Sequence, residues 1–375
     1  MLTLFRNLRF SLRQLRKSPG FTLTAVLTLA LGIGATTAIY TVVYATLIAP
    51  MDYPKPDELV IVWSTIQGNR NSVSAGDFLD WKQQSKSFQD LNAFFRSRFN
   101  LGGIEEPETV FAGVSTPGFY NALGVHFMLG HDFLPEQGVD GKDHVVILTN
   151  RIWKRLGADP NILSKTVKLD QKPYTVVGVL APGLPDRYPW ELAVPLAIKP
   201  EQVNHDAHWL VIEGRLKDGV TLEQANAEMA AVAAHIAQAN PRSNKGWGVR
   251  IEPLKNDWLG DNVKLMLWML LGASGFVLLI ACANIANLLL AKGTSRQKEI
   301  AVRTAVGATR RAVFVQFFVE SLLLAMLGGA LGVGVGYALV RGFVAALPYN
   351  TLPGEADIRL SVPVLLVTID RKSVV

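Results

Sequence analysis

The chain has 375 residues, of which 49% are apolar and 18% are charged, and its formal net charge is +6. Soluble globular proteins carry about 25% charged residues, so this composition favours a membrane environment and excludes disordered, collagen-like and cysteine-stapled classes. Cys282 is the single cysteine of the sequence, which makes an internal disulfide impossible.

The first 20 residues are predicted to form a basic amphipathic helix. They hold five basic residues and no acid, and one helical face carries four leucines, namely Leu4, Leu8, Leu12 and Leu15. This pattern is typical of a helix that lies in the membrane interface, with a plain basic cytoplasmic tail as the alternative. Pro19 and Gly20 are expected to end the helix and turn the chain into the next element.

Three apolar runs are long enough to cross a bilayer, which needs about 20 helical residues. They cover 21–48, 265–291 and 312–340, and a single acid, Glu320, interrupts the last of them. The first run is too long for a signal peptide and ends in a poor cleavage site, so a retained helix is predicted. A fourth run, 360–369, is about half as long as a span requires.

The distribution of charge predicts the orientation in the membrane. Five basic residues precede the first span and six lie in 292–311, whereas 49–263 carries a net charge of −5. Short basic flanks stay in the cytoplasm, so the N-terminus is expected inside and the large segment outside. The predicted organisation is a cytoplasmic helix at 1–20, spans at 21–48, 265–291 and 312–340, an extracytoplasmic domain with a stalk at 49–264, a cytoplasmic loop at 292–311, and an outer loop with a partial fourth span at 341–375.

The segment 49–264 is long enough to fold as a domain with its own core. Four β-like runs are bounded by Gly, Pro or Asp, at 59–63, 145–149, 175–180 and 209–216. The clearest helix is 221–239, because Thr221 and Gln224 have capping-box spacing ahead of an apolar stripe.

Two further helical features are predicted in the same segment. A shorter helix at 77–85 would bury Phe78 and Trp81. The stretch 257–264 contains no strong helix breaker, so the second span is expected to begin outside the membrane as a stalk. Mixed strands and helices together predict an α+β domain.

Several residues inside the spans are unusual for a lipid environment. Asn284 and Asn287 share a face of the second span, where polar side chains commonly bond to a neighbouring helix. The third span has glycines at four-residue spacing, which allows close helix packing, although glycines facing lipid are the alternative; they are Gly328, Gly332 and Gly336. Glu320 is either a functional intramembrane acid or a structural one that lies near the headgroups or pairs with a basic loop residue.

Motifs for several enzyme classes are missing from the sequence. Gly141 and Lys142 are followed by Asp143, so no Walker A motif for ATP hydrolysis is present. His205 and His208 have no further cysteine or histidine nearby, which makes them a weak metal signal, and no Gly-x-Ser-x-Gly elbow occurs. We therefore assign no catalytic residue, cofactor or metal. Because the positive charge follows the membrane orientation, it gives no support for nucleic-acid binding.

The order of these pieces resembles the FtsX/MacB-type permeases of ABC transporters. The resemblance is most specific in ANIANLLLA at 283–291, RQKEIAVR at 296–303, AVGA at 305–308 and QFFVES at 316–321. RQLRKSPGF at 13–21 and SAGDFLDW at 74–81 are similar to the duplicated permeases first named from acidobacteria.

The resemblance implies a multi-pass α-helical protein of the bacterial inner membrane, with four spans and a MacB-like periplasmic core domain. It further implies that a separate cytoplasmic ABC ATPase docks on the loop, whose coupling residues would be Arg296, Lys298, Glu299, Arg303 and Gly307. Glu299 and Arg303 have i,i+4 spacing on a predicted helix, and Gly307 offers a bend before the third span. The implied partners are this ATPase, the lipid bilayer, and a second copy or a second permease half.

Three functions are compatible with the sequence. The first is a permease subunit of an ABC-type export or mechanotransmission complex. The second is a permease-like regulator of envelope enzymes that transports nothing, and the third is a membrane-anchored extracytoplasmic sensor or binding protein. A sensor of the two-span type would end in a cytoplasmic signalling domain, whereas here a third span follows.

The chain departs from the family pattern at its end. The fourth span is expected to continue past Leu366, but the sequence turns polar at 370–375. One possible coding of these six residues matches a common sequencing-adapter string, so we interpret them as an artefact and the fourth span as truncated. Genomic resequencing that recovers these codons would contradict this interpretation.

Overall fold

The computed structural model describes residues 2–49, 51, 53–102, 108–181, 190–257, 261–297, 301–302, 305–306 and 309–346. The chain divides into two units. The first, called the membrane unit here, includes residues 1–49 and the helices from Asp261 onwards. The second, called the β-domain, includes residues 50–260.

The helices follow one another from the N-terminus as α1 Leu2–Lys17, α2 Pro19–Val43, α3 Ala75–Gln84, α4 Phe119–Leu123, α5 Asn150–Arg155, α6 Leu222–Ala239, α7 Asp261–Ser295 and α8 Arg310–Ala346. The strands are β1 Leu59–Ile66, β2 Asn69–Asn71, β3 Val73–Ser74, β4 Phe88–Gly102, β5 Glu108–Ser115, β6 Phe127–Gly130, β7 Val145–Leu148, β8 Thr166–Leu169, β9 Lys172–Leu180, β10 Leu192–Pro195, β11 His208–Leu216 and β12 Trp247–Pro253.

The membrane unit confirms the three predicted spans. Three helices of the described residues are long and apolar enough to cross a membrane, at Pro19–Ile48, Asn262–Ser295 and Val313–Ala346. The second and third helices extend beyond their predicted runs, because no proline or strong breaker stops the helix where the apolar residues end. The first begins two residues early, at Pro19, and ends at Ile48 as predicted. The predicted fourth span lies outside the described residues.

Helix α2 is the central helix of the membrane unit. It packs against both α7 and α8, and its last turn, Tyr44–Ile48, is a π-helix. The amphipathic helix α1 packs against α8 and α2, where Leu15 joins a small apolar cluster with Ala25 and Leu324. A single residue, Ser18, separates α1 from α2. Helix α2 can begin directly after it because Pro19 occupies its first position, to which proline is well suited.

The β-domain is built on a mixed sheet. Twelve strands of the described residues have the order β12-β1-β11-β4-β5-β10-β7-β9-β6, while β2 pairs with β1, β3 with β11, and β8 with β4 and β9. Two pairs, β5–β10 and β7–β9, are parallel, and the other pairs are antiparallel. The four predicted β-runs all lie on strands, but the second run ends at Leu148 because Thr149 caps α5.

The sheet is buried on both faces. Along β1, Val60 and Val62 belong to one apolar cluster, and Leu59 and Ile61 belong to the other. Successive side chains of a strand point to opposite faces, so this alternation places a core on each side of the sheet. The resulting domain contains both helices and strands, which confirms the predicted class of membrane helices with an α+β domain.

The two predicted helices of this domain form, with one correction. Thr221 and Gln224 make the reciprocal hydrogen bonds of a capping box at the start of α6. The shorter helix begins at Ala75 rather than at residue 77, because the Ser74 hydroxyl accepts a hydrogen bond from the Asp77 amide and so caps the helix earlier.

Candidate functional site

A charge cluster joins the second and third spans at the basic end of the membrane unit. Glu320 of α8 is buried, and its carboxylate accepts hydrogen bonds from the ammonium of Lys292 and from Arg296, whose Nη1 lies 2.9 Å from Oε2. Lys292 lies in the last turn of α7, and Arg296 follows directly after that helix. One carboxylate therefore connects the end of α7 to α8.

The same cluster contacts the first span. The Lys292 ammonium lies 4.0 Å from the centroid of the Phe21 ring, near the start of α2. A cation above an aromatic face is attracted by the negative charge of the ring face, and the attraction is stronger away from water. Lys292 thus contacts elements from all three spans.

Burial makes this cluster most sensitive to the loss of Glu320, the carboxylate that both cations share. The Lys292 and Arg296 side chains are 10% and 13% exposed, and the Glu320 side chain is 3% exposed. Removal of one charge from a buried pair leaves the partner charge without compensation, which is more costly than the loss of a surface ion pair. Glu320 is thus paired with basic residues, as one of the two alternatives predicted, and a functional role for this acid stays a prediction.

The glycine stripe of α8 faces α2. A Cβ atom at Gly332 would lie 2.9 Å from Ile33, and one at Gly336 would lie 3.1 Å from the carbonyl oxygen of Gly34. A Cβ atom at Gly328 would likewise come too close to Leu29, whereas one at Gly334 would have open space around it. Only glycine allows the two backbones to approach this closely, so the helix partner of the stripe is the first span of the same chain.

The two asparagines of α7 do not lie in this site. Asn284 and Asn287 are exposed on α7, and within the described residues neither bonds to a neighbouring helix. Instead, α2 approaches α7 through Gly32, where an added Cβ would lie 3.0 Å from Ala281. The only predicted coupling residue that the structure describes is Arg296; Lys298, Glu299, Arg303 and Gly307 lie outside the described residues.

The histidine pair of the β-domain belongs to a polar cluster around Asp77. Asp77 Oδ1 is 2.9 Å from His205 Nδ1 and accepts a 2.7 Å hydrogen bond from Asn244, and His208 Nε2 is 3.9 Å from Oδ2. The Ser74 hydroxyl also donates to this carboxylate. No group of three metal-ligating side chains suited to a metal ion occurs among the residues described. The pair therefore joins the start of β11 and the segment before it to α3.

Lys292 and Phe21 are absent from the predicted site residues. Lys292 could have been found from the sequence, because it lies four residues before Arg296 at the end of an apolar run and therefore shares its helical face. Phe21 carries no such signal, since its contact depends on how α2 packs against α7.

The two parts of the chain match two family models. Residues 22–232 match the MacB-like periplasmic core domain, which is more than half of the chain. The chain belongs to the MacB/FtsX family of permeases. Residues 271–368 match the FtsX-like permease C-terminal model, which includes most of the second span and all of the third. The predicted resemblance is confirmed, and the protein is a membrane protein with an extracytoplasmic domain.

Relatives support the same family. The ABC transporter permease YknZ of Bacillus subtilis is 24% identical over 235 residues, which cover 62% of this chain and 57% of that protein. The macrolide export ATP-binding/permease protein MacB of Campylobacter fetus is 24% identical over 284 residues, or 72% of this chain and 43% of that protein. The chain thus spans about half the length of these relatives.

Solved structures are similar as well. The periplasmic region of MacB from Actinobacillus actinomycetemcomitans has 15% sequence identity and a TM-score of 0.40, covering 56% of this chain and 92% of that one.

Proposed function

We propose that this chain is the permease subunit of an ABC-type export or mechanotransmission complex. A separate cytoplasmic ATPase docks on the loop 292–311, and its motion passes through the spans to the β-domain. The N-terminus and the loop lie in the cytoplasm, because short basic flanks are retained there. The permease acts as a homodimer or together with a second permease half.

The charge cluster supports the first step of this proposal. The loop starts at the end of α7, where Lys292 and Arg296 both bond to Glu320. A displacement of the loop at this point is therefore shared by α7 and α8. A flexible connection would absorb such a displacement, whereas a buried ion cluster resists it.

The glycine stripe of α8 supports the second step. Because Gly328, Gly332 and Gly336 hold α8 in close contact with α2, a movement of α8 is transmitted to α2 by direct backbone packing. The chain continues from α2 into the β-domain through residues 49–58.

The sheet topology supports the third step and carries the proposal. The strands nearest to the two connections with the membrane unit, β1 and β12, are antiparallel neighbours, and Val60 near the start of β1 pairs with Pro253 at the end of β12. Two connections that reach the sheet at one point can shift its strands against each other. Widely separated connections would instead hold the domain as a passive anchor.

Copurification tests this function. The full chain is coexpressed with the ABC ATPase encoded nearest to it, and the complex is isolated from membranes. The proposal expects the ATPase to copurify, and replacement of Glu299 and Arg303 by alanine to abolish the association. Arg341→Ala, an exposed basic residue in the last turns of α8, is the control and is expected to retain it.

Two results would contradict the proposal. If no ATPase copurifies, the chain is not a subunit of such a complex. If the double alanine variant binds the ATPase as well as the natural chain does, the docking role of the loop is wrong.

A further inference from the structure

One buried arginine holds the segment that leads into the β-domain. Arg215 of β11 is buried, and its guanidinium donates to the backbone carbonyls of Ala122, Lys55 and Pro54 at 2.8, 3.3 and 3.1 Å. It also forms an ion pair of 3.2 Å with Glu58. Three of these four partners lie in residues 53–58, which we call the leading segment.

The leading segment lies ahead of the sheet. The first paired residue of β1 is Leu59, which lies opposite Arg215 itself. Residues 53–58 contain a short 3₁₀ turn at Pro56–Glu58 and no strand. The ladder bonds of β1 therefore do not hold this segment, and Arg215 reaches back from the neighbouring strand to bind it.

Two apolar contacts reinforce the same attachment. Met51 and Tyr53 are buried in the apolar cluster on one face of the sheet. Pro54 packs against Gly124 so closely that a Cβ atom there would lie 2.8 Å from the proline ring. Gly124 also has a positive φ of 75°, which favours glycine. The leading segment is thus fixed to α4 and β11 before the sheet begins.

An exposed ion pair on the same segment provides a contrast. The Lys55 ammonium bonds to Asp218 and lies 3.1 Å from Glu58, but Lys55 and Asp218 are 60% and 80% exposed. Exposed ion pairs contribute little because water screens them, whereas charge-assisted bonds from a buried guanidinium are stronger and geometrically defined. Of the two sets of polar contacts, those of Arg215 therefore contribute more to resisting a pull on the segment.

We propose that Arg215 is a positioning residue that holds residues 53–58 against the sheet. Because this connecting segment is held in place, movement of the first span is transmitted to β1. This inference rests on the proposed function, since it assumes that the span moves when the ATPase binds nucleotide.

Hydrogen–deuterium exchange of the full chain with its ATPase in nanodiscs tests the inference. Exchange is compared between ADP and trapped-ATP states in the natural chain, in Arg215→Gln and in Arg215→Lys. The control is Arg151→Gln on α5, which removes another arginine ion pair of the same domain, 2.9 Å from Glu191 and several strands away from β1 and β12. In the natural chain and the control, ATP is expected to change exchange both in the loop 292–311 and in β1 and β12.

In Arg215→Gln, the loop response and the ATPase rate are expected to remain, while the response of β1 and β12 falls at least fivefold. Resting amides of 55–59 are expected to exchange at least tenfold faster than in the natural chain, with β4 and β5 unchanged. Arg215→Lys, which keeps the charge but loses the planar fork, is expected to be intermediate. If Arg215→Gln does not fold, the same comparison is made with Arg215→Lys.

A cross-link separates a positioning role from a merely structural one. The Arg215→Gln chain is given three further substitutions, Cys282→Ser, Lys55→Cys and Asp218→Cys. A short, reversible bifunctional thiol reagent then bridges the two new cysteines. The bridge is expected to restore the β1 and β12 response, and reductant is expected to remove it again. A folded Arg215→Gln chain that keeps the full response would overturn the inference. If exchange in the β-domain of the natural chain is the same with ADP and with trapped ATP, the proposed function is wrong, and the inference falls with it.

Discussion

The β-domain and the membrane unit are stabilised in opposite ways. In the β-domain, large side chains such as Trp81, Phe78 and Tyr120 are buried between the sheet and its helices. In the membrane unit, α2 and α8 touch through glycines, and large apolar side chains such as Phe276 point away from the packed helices. The difference follows from the solvent, because lipid gives no hydrophobic force between helices and close packing must replace it.

Within the membrane unit, α7 differs from the other spans. The most apolar window of α7 is 17% buried, compared with 39% for α2 and 33% for α8. A helix so little covered by its own chain depends on a few contacts for its position. The ion pairs of Glu320 with Lys292 and Arg296, and the close approach of Gly32 to Ala281, are such contacts. Their loss is therefore expected to affect mainly the position of α7.

The largest stability change is expected in the β-domain core. Trp81→Ala removes a side chain that is 2% exposed and leaves a cavity, which is expected to lower the free energy of unfolding by about 3–5 kcal/mol. Phe276→Ala, at a side chain that is 69% exposed on α7, is expected to change it by less than about 0.5 kcal/mol. Thermal unfolding of the full chain in detergent compares the two, and equal losses would contradict the contrast between the two regions.

A smaller loss is expected when the ion cluster is broken. Glu320→Gln leaves the Lys292 and Arg296 charges buried without a carboxylate, which is expected to cost about 3 kcal/mol. Protease accessibility of the loop 292–311 in nanodiscs is expected to rise. Arg341→Gln, at an exposed arginine of α8, is the matched control. A Glu320→Gln chain as stable and as resistant as the control would show that the cluster does not join the helices.

The next largest loss of stability is expected at the glycine stripe of α8. Gly332→Leu places a side chain where a Cβ atom alone would lie 2.9 Å from Ile33, and it is expected to destabilise the contact between α2 and α8 by about 2 kcal/mol. Gly334→Leu, with open space around it, is the control. Cross-linking of cysteines placed across the two helices measures the effect. Equal cross-linking in both variants would place the helix contact elsewhere.

The smallest effect is a pH dependence in the β-domain. Burial raises the pKa of Glu228, but hydrogen bonds from the Ser87 hydroxyl and from the amides of Lys86 and Ser87 outweigh it and leave the pKa below the usual 4.5. A carboxyl whose pKa is lower in the folded state contributes stability above about pH 4.5, and this stability is lost as the pH falls through the lowered pKa.

Glu228→Gln is therefore expected to lower stability above about pH 4.5 by less than about 1 kcal/mol, because the carboxylate is partly exposed. The difference between the two chains should shrink as the pH falls towards 3, which unfolding temperatures measured from pH 3 to pH 7 would show. A difference that grows towards low pH would contradict the assignment.

Local patterns predicted much of the fold. Helix α6 follows from the spacing of Thr221 and Gln224, and the spans follow from runs of apolar residues, because both signals are contained in neighbouring positions. The start of α3 was wrong because Ser74 offered a cap earlier than the apolar pattern. The order of the sheet strands and the burial of both faces of β1 depend on contacts between distant residues, which periodicity does not report.

The candidate site was predictable only in part. The sequence singles out Glu320 because acids within a span are rare, and Arg296 because the family resemblance places it in the coupling loop. Their pairing with each other and the contact of Lys292 with Phe21 require the packing of three helices. Arg215 carries no sequence signal, since an arginine at the end of a β-run is ordinary until its buried carbonyl partners are known.

The most direct test of force transmission is a distance measured across the molecule. In a Cys282→Ser chain bound to its ATPase in nanodiscs, spin labels are placed at Glu136 of the β-domain and Arg341 of α8, both exposed. ATP trapping is expected to shift the distance distribution relative to ADP, and Glu320→Gln is expected to abolish the shift while the ATPase stays bound. The account would be contradicted if the natural chain gave the same distance distribution with ADP and with trapped ATP. It would also be contradicted if the distribution of the Glu320→Gln chain shifted as fully as that of the natural chain.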